Sequence, residues 1–343
     1  MTSHKIFKAS LLLMTFMVLI SSCNTDDLSS VNLIKLTLSS GTVEQPVNTP
    51  YEFKVEGDNG VDITDDVIFK VNGEMIDSSV FTPSLAGDYE VKAYYNNLVS
   101  NALQLKVVLP SEYVQKVMIE DYTATWCGYC PRVAHAIELC KAQSDKVVAV
   151  AVHDSDDFAF DGSAALISEF EISGLPKGRI NRTELWEALE HEHLDQVLDK
   201  TGYSATLGLS IESQIDNNNI QATIKVGFAT EFSNQLNLVL YLTENGLIHN
   251  QSNYTEFYGG TNPIVDFEHN DVLRALCNGI YGEIIPGEET IEGNIYDKAF
   301  TVSIPSSVEN NANLHLVAFV IDKSTNEVIN VQEAAIGEEV GFR

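Results

Sequence analysis

An apolar run, Val117-Met118-Ile119-Glu120-Asp121-Tyr122, leads into Trp126-Cys127-Gly128-Tyr129-Cys130-Pro131 and then into a helical pattern. This segment constrains the fold more than any other. A strand that delivers two cysteines, two residues apart, onto the first turn of a helix is an arrangement suited to thiol–disulfide chemistry. The positive end of the helix favours the thiolate of the first cysteine. The second lies one turn on, close enough to close a disulfide and release whatever the first has attacked. Cys127 is therefore the expected attacking thiol and Cys130 the resolving one.

Residues 1–22 read as an export signal rather than as part of a fold. Lys5 and Lys8 give a basic start, and the apolar run from Leu11 to Ile20 is short for a bilayer span. The run ends in Ile20-Ser21-Ser22-Cys23, which resembles the lipobox of bacterial lipoproteins. That resemblance implies lipid attachment at Cys23; an ordinary signal peptide with an incidental cysteine is the other reading. Asn24-Thr25-Asp26-Asp27 resembles the surface-export signal of Bacteroidota lipoproteins. The expected location is the outer membrane, held by the N-terminal lipid, on its periplasmic or cell-surface face. The chain carries 20 Lys+Arg against 49 Asp+Glu, a net charge of −29. Losing the signal removes two lysines and no acid, so the mature charge becomes −31. Nucleic acid and anionic headgroups would both be repelled.

Three folded regions are expected. Residues 23–30 form a tether. Residues 31–108 alternate short strands with Gly, Asn, Asp and Pro, and Tyr89 reads as the tyrosine corner of an immunoglobulin-like β-sandwich. Residues 109–202 alternate strand and helix, with helices expected over 130–142, 164–170 and 184–200. Residues 203–343 return to strands and suggest a C-terminal β-sandwich.

The middle region resembles thioredoxin. Asp121 lies six residues before Cys127, where thioredoxins keep a buried acid beneath the active site. Gly174-Leu175-Pro176 falls where that fold places its cis-proline. The resemblance implies a proton-relay role for Asp121 and a substrate-docking role for Pro176. The expected fold class is thus multidomain, an α/β thioredoxin-like domain flanked by an N-terminal immunoglobulin-like sandwich and a C-terminal sandwich. One departure stands out. After Pro176 the chain reads Lys177-Gly178-Arg179-Ile180-Asn181-Arg182 and is expected to go directly into a helix, so the sheet edge is short or rebuilt.

The segment 120–131, Pro176 with Asn181-Arg182, and Phe267-Glu268-His269-Asn270-Asp271-Val272-Leu273-Arg274-Ala275 together resemble a narrower group. These are the Bacteroidota outer-membrane lipoproteins named for a 28-kilodalton outer-membrane protein. Members are regarded as surface antigens and adhesins as well as thioredoxin-like proteins.

Two functions follow. The first is a membrane-tethered thiol–disulfide oxidoreductase, a reductase or isomerase. Its catalytic set is Cys127, Cys130, Asp121 and Pro176, with Trp126, Gly128 and Tyr129 in support. It would act on thiols or disulfides of exported proteins, draw electrons from an unidentified membrane reductant and need no cofactor. The alternative is a surface adhesin or binding protein in which the cysteine pair is a structural disulfide. Cys127, Cys130, His135 and Cys140 have zinc-knuckle spacing, but a helix would splay them, so no metal site is expected there. The acidic loop after His153 lacks EF-hand spacing and reads as a solvated loop. Cys140 and Cys277 are expected to be buried thiols. Tyr254, Phe257, Tyr258, Gly259 and Gly260 read as an anchored loop.

Overall fold

A computed structural model describes residues 35–41, 43–109 and 112–343. The signal, Cys23 and the tether lie outside the described residues.

Residues 35–109 supply β1 (Leu36–Ser40), β2 (Glu44–Pro46), β3 (Tyr51–Gly57), β4 (Ile68–Val71) and β5 (Glu74–Ile76). They continue with β6 (Val80–Phe81), β7 (Gly87–Tyr95), β8 (Leu98–Val99) and β9 (Leu103–Val108). One sheet runs β1-β3-β6 and the other β2-β9-β7-β4-β5, with β8 against β7. Alternating residues such as Leu36, Leu38, Phe53 and Val55 from the first sheet meet Phe69, Val91, Leu105 and Val107 from the second in one core. The Tyr89 hydroxyl donates to the Leu85 carbonyl at 2.9 Å.

The next stretch contains β10 (Val117–Thr123), α1 (Pro131–Gln143), β11 (Val147–His153), α2 (Ser163–Glu169), β12 (Lys177–Ile180), β13 (Glu184–Leu185) and α3 (Asp195–Leu198). Then come β14 (Leu207–Asp216), β15 (Asn219–Phe228), β16 (Leu236–Glu244), β17 (Leu247–Gln251), β18 (Ile264–His269) and β19 (Val272–Leu276). The last strands are β20 (Glu283–Ile284), β21 (Ile295–Ser303), β22 (Leu314–Asp322), β23 (Val328–Ala335) and β24 (Glu339–Val340).

The expected α/β thioredoxin-like domain flanked by a separate sandwich is not what forms. Strands from both stretches join one nine-stranded sheet, ordered β13-β12-β10-β11-β19-β16-β22-β23, with β20 beside β16. The seam is β11 against β19, parallel at Ala151 and Val272. Strand accounts for 45% of the described residues and helix for 13%. The physical reason lies in side-chain parity. Even-numbered Met118, Val148, Val150 and Val152 share one face, and one core, with Val239, Tyr241, Val317 and Phe319. On the opposite face, α1 covers Val117, Ile119, Val147 and Ala149. Farther along that face, the sheet β21-β15-β14-β24 covers Leu238, Leu240, Leu316 and Ala318.

Arg182 ties the seam. It is fully buried, pairs with Glu120 of β10 at 3.1 Å, donates to the Ile280 carbonyl at 2.9 Å, and bonds the Tyr241 hydroxyl of β16. The helix expected over 184–200 is replaced by the two-residue strand β13, a 3-10 turn at Glu190–Glu192 and the short α3. Trp186 explains the break. Its ring is buried in the α1 core, and its indole N–H donates to the His193 carbonyl at 2.9 Å, so the chain wraps around it. Leu189, at φ +65°, makes the turn. The sheet edge beyond Pro176 is accordingly a short hairpin, β12 with β13.

Candidate functional site around the Cys127–Cys130 disulfide

β10 ends at Thr123, and the chain turns through Ala124–Cys127, where the Cys127 amide donates to the Ala124 carbonyl at 3.0 Å. Cys130 caps α1, and Pro131 occupies its first position, where a missing N–H costs nothing. Cys127 and Cys130 are joined in a disulfide. Ala124 and Leu175 pack on it. Leu175–Pro176 is a cis peptide bond.

Three groups hold the loop from one side. Asp156 accepts the Thr125 amide at 2.7 Å and contacts His153 Nδ1 at 2.7 Å, and the Trp126 indole donates to the Asp154 carbonyl at 3.1 Å. Burial pushes the Asp156 carboxyl up, but the His153 contact and two backbone N–H groups outweigh that and leave it below the usual range. The acidic loop read as solvated thus anchors the cysteine segment.

The other side is covered by a strap running from Gln251 to Tyr254. The Ser252 amide donates to Thr125 O at 2.8 Å and the Tyr254 amide to Gly128 O at 2.6 Å. The Gln251 side chain donates to Cys127 O at 2.9 Å and Ala124 O at 3.2 Å. A Cβ on Gly128 would overlap the Tyr254 ring, so the glycine between the cysteines is what lets the strap close. Under it, Cys127 and Cys130 are only 4% and 2% exposed, whereas Trp126, Tyr129 and Tyr254 are 53%, 54% and 64% exposed. The Tyr129 and Tyr254 rings meet edge to face at 5.7 Å.

Asp121 is buried beneath the loop, and its Oδ1 has no hydrogen-bond partner. Burial, reinforced by the Glu190 and Asp271 charges, pushes its carboxyl well above the usual range. It lines the same cavity as Cys130. The structure therefore gathers Cys127, Cys130 and Leu175 at the disulfide, carries Trp126, Gly128 and Tyr129 on the loop, and sets Asp121 behind it. Cys23 lies outside the described residues.

The zinc-knuckle spacing does not converge. His135 stacks on Phe257 at 4.4 Å, while Cys140 faces the core. Cys140 and Cys277 are free thiols, Cys140 buried and Cys277 partly so; burial pushes both up to about 12. Sequence reasoning missed Asp156, Gln251 and Tyr254 as parts of this site. The one local signal was Gly128, whose missing side chain leaves room for a ring.

No curated protein matches the chain. HBP35 of Porphyromonas gingivalis is similar in structure, with a TM-score of 0.52 at 18% identity over 65% of this chain and 76% of that one. That likeness concerns the fold. A domain of the outer membrane lipoprotein Omp28 from Porphyromonas gingivalis is 24% identical over 39% of this chain and 89% of that one, with a TM-score of 0.27. A sequence model of the family described as outer membrane protein Omp28 matches residues 163–340, just over half the chain. The match begins past the disulfide and includes Pro176 and the 267–275 run. It gives the protein an outer-membrane location, and this chain belongs to the Omp28 family of outer-membrane proteins.

Proposed function

We propose that this chain is a lipid-anchored surface binding protein, an adhesin in the broad sense, in which Cys127–Cys130 is a structural disulfide. The observation that carries this reading is the inversion at the loop, with both cysteines buried and three aromatic rings turned outward. Aromatic side chains held on a rigid frame make contact area at low entropic cost, which suits a binding surface. The lipid at Cys23 would hold that surface at the membrane.

A second reading, thiol–disulfide exchange with exported proteins, is favoured by one observation. Asp121 is buried, lacks a partner at Oδ1 and lines the same cavity as Cys130, as a proton relay for the resolving thiol would.

One set of measurements separates the two. Under the binding reading, the protein with dithiothreitol reduces insulin no faster than dithiothreitol alone. Cys127→Ser/Cys130→Ser then lowers stability by about 2 kcal/mol, the loop-closure contribution for so short a loop. Panning a phage-displayed peptide library should enrich sequences that fail to bind Trp126→Ala/Tyr129→Ala/Tyr254→Ala. Insulin reduction abolished by Cys127→Ser would establish exchange instead.

A further inference from the structure

Behind the disulfide, between α1 and the β17–β18 hairpin, lies a cavity of about 380 Å³. That is the small end of the range for small-molecule sites. Two of its lining residues each carry a buried, unpartnered atom. The atoms are Asp121 Oδ1, on a residue 3% exposed, and His269 Nε2, on a residue 6% exposed. Native proteins rarely leave such atoms unpaired without a ligand, ion or water to meet them.

His269 Nε2 accepts a hydrogen bond, and Asp121 Oδ1 accepts one once an arriving ammonium holds the carboxyl ionised. The His269 ring is neutral; burial and the neighbouring His153 press it down to about 3. The ring also makes a hydrogen bond to the His249 backbone, and a neutral imidazole keeps one acceptor nitrogen. The cavity's remaining charged side chains are Glu138, Glu268 and Asp271 against Lys141. That lysine is already held by both Asp271 oxygens, at 2.7 and 2.8 Å. The local balance is therefore acidic, as is the whole chain at −29. Ala134, Ile137, Ala149 and Phe267 give the cavity an apolar wall, and Thr123, Asn245, Gln251 and Asn270 add uncharged polar groups.

The geometry points to a site for a primary alkylamine, its ammonium on Asp121 and His269 and its methylenes along the α1 wall. An ammonium carries three donors and no acceptor, which complements two orphan acceptors. A carboxylate would meet like charge. An alcohol has one donor and brings no positive charge to Asp121. The inference does not depend on how the disulfide functions.

Calorimetric titration of the full chain in detergent at pH 7 tests it, with n-pentylamine, 1-pentanol and pentanoate as matched probes. Saturable binding of the amine, at least tenfold tighter than the alcohol and absent for pentanoate, is expected. Asp121→Asn should weaken amine binding at least tenfold. Ala134→Phe, which fills the space from α1, should abolish it, with a melting curve showing that the variant folds. Nα-acetyl-lysine methylamide identifies the source: binding as tight as the free amine points to a protein lysine, weaker binding to a small amine. Equal binding of amine and alcohol, no loss in Asp121→Asn, or no binding of any probe overturns the site.

Discussion

Asp121 and His269 sit in one cavity, yet burial biases their proton affinities in opposite directions. Asp121 has a raised folded-state pKa, through burial and then the charges of Glu190 and Asp271. Its contribution to stability is therefore fully present below the unfolded carboxylate pKa and is lost as pH rises toward the folded value. His269 is depressed to about 3 by burial and by His153, against the pull of Asp156. Its contribution is present above the unfolded histidine pKa and is lost as pH falls below it. Asp121→Asn keeps the shape and removes the first dependence. The melting temperature of the variant relative to wild type should rise as pH climbs above the unfolded carboxylate pKa, as measured by circular dichroism. A pH-independent difference would refute the assignment. Asp121 was legible in the sequence because its spacing from Cys127 is local. His269 was seen only as part of a family-flavoured run, because its cavity partners lie more than a hundred residues upstream.

At the scale of elements, the strands and helices around the cysteines were readable from periodicity. The helix expected over 130–142 is α1 at Pro131–Gln143, and the run before the motif is β10. The strap was not readable. Its residues lie some 125 positions beyond the loop they cover, and nothing in an aromatic, glycine-containing stretch states what it will pack on. The 184–200 segment failed for a different reason: Trp186 gains more from burial than a continuous helix would allow. The strap has a measurable consequence. Gln251 donates to the carbonyls of Ala124, Cys127 and Ser252, and removing it loses the hydrogen bonds to the loop, each worth about 0.5–1.5 kcal/mol. Gln251→Ala should therefore loosen the cover and speed reduction of the Cys127–Cys130 disulfide by dithiothreitol about tenfold. Tyr254→Ala should act in the same direction. Trapping the free thiols with a mass tag gives the rate, and an unchanged rate in both variants would show that the strap does not shield the sulfurs.

For the whole molecule, the decisive contact is the seam between β11 and β19, which joins β10–β13 to β16, β19, β20, β22 and β23 in one sheet. Sequence patterning could not supply it. β16 and β22 alternate between two buried faces, which a sandwich strand and a strand in a covered mixed sheet both permit. What fixes the join is a buried charge network. Arg182, set beside the short hairpin at φ +70°, pairs with Glu120 of β10 and bonds Tyr241 of β16, while the Asn181 carbonyl accepts the Val328 amide of β23. Both members of the Glu120–Arg182 pair are fully buried. Removing the arginine alone leaves a carboxylate in the sheet interior without its counter-charge, a loss of about 3–5 kcal/mol. Because that carboxylate belongs to β10 and the freed hydroxyl to β16, the loss should fall on both sides of the seam together. Arg182→Met should lower hydrogen-exchange protection of the slowest amides in β10–β11 and in β16–β22 by the same free energy. If only one group loses protection, the two halves unfold independently and the continuous sheet is not a single cooperative unit.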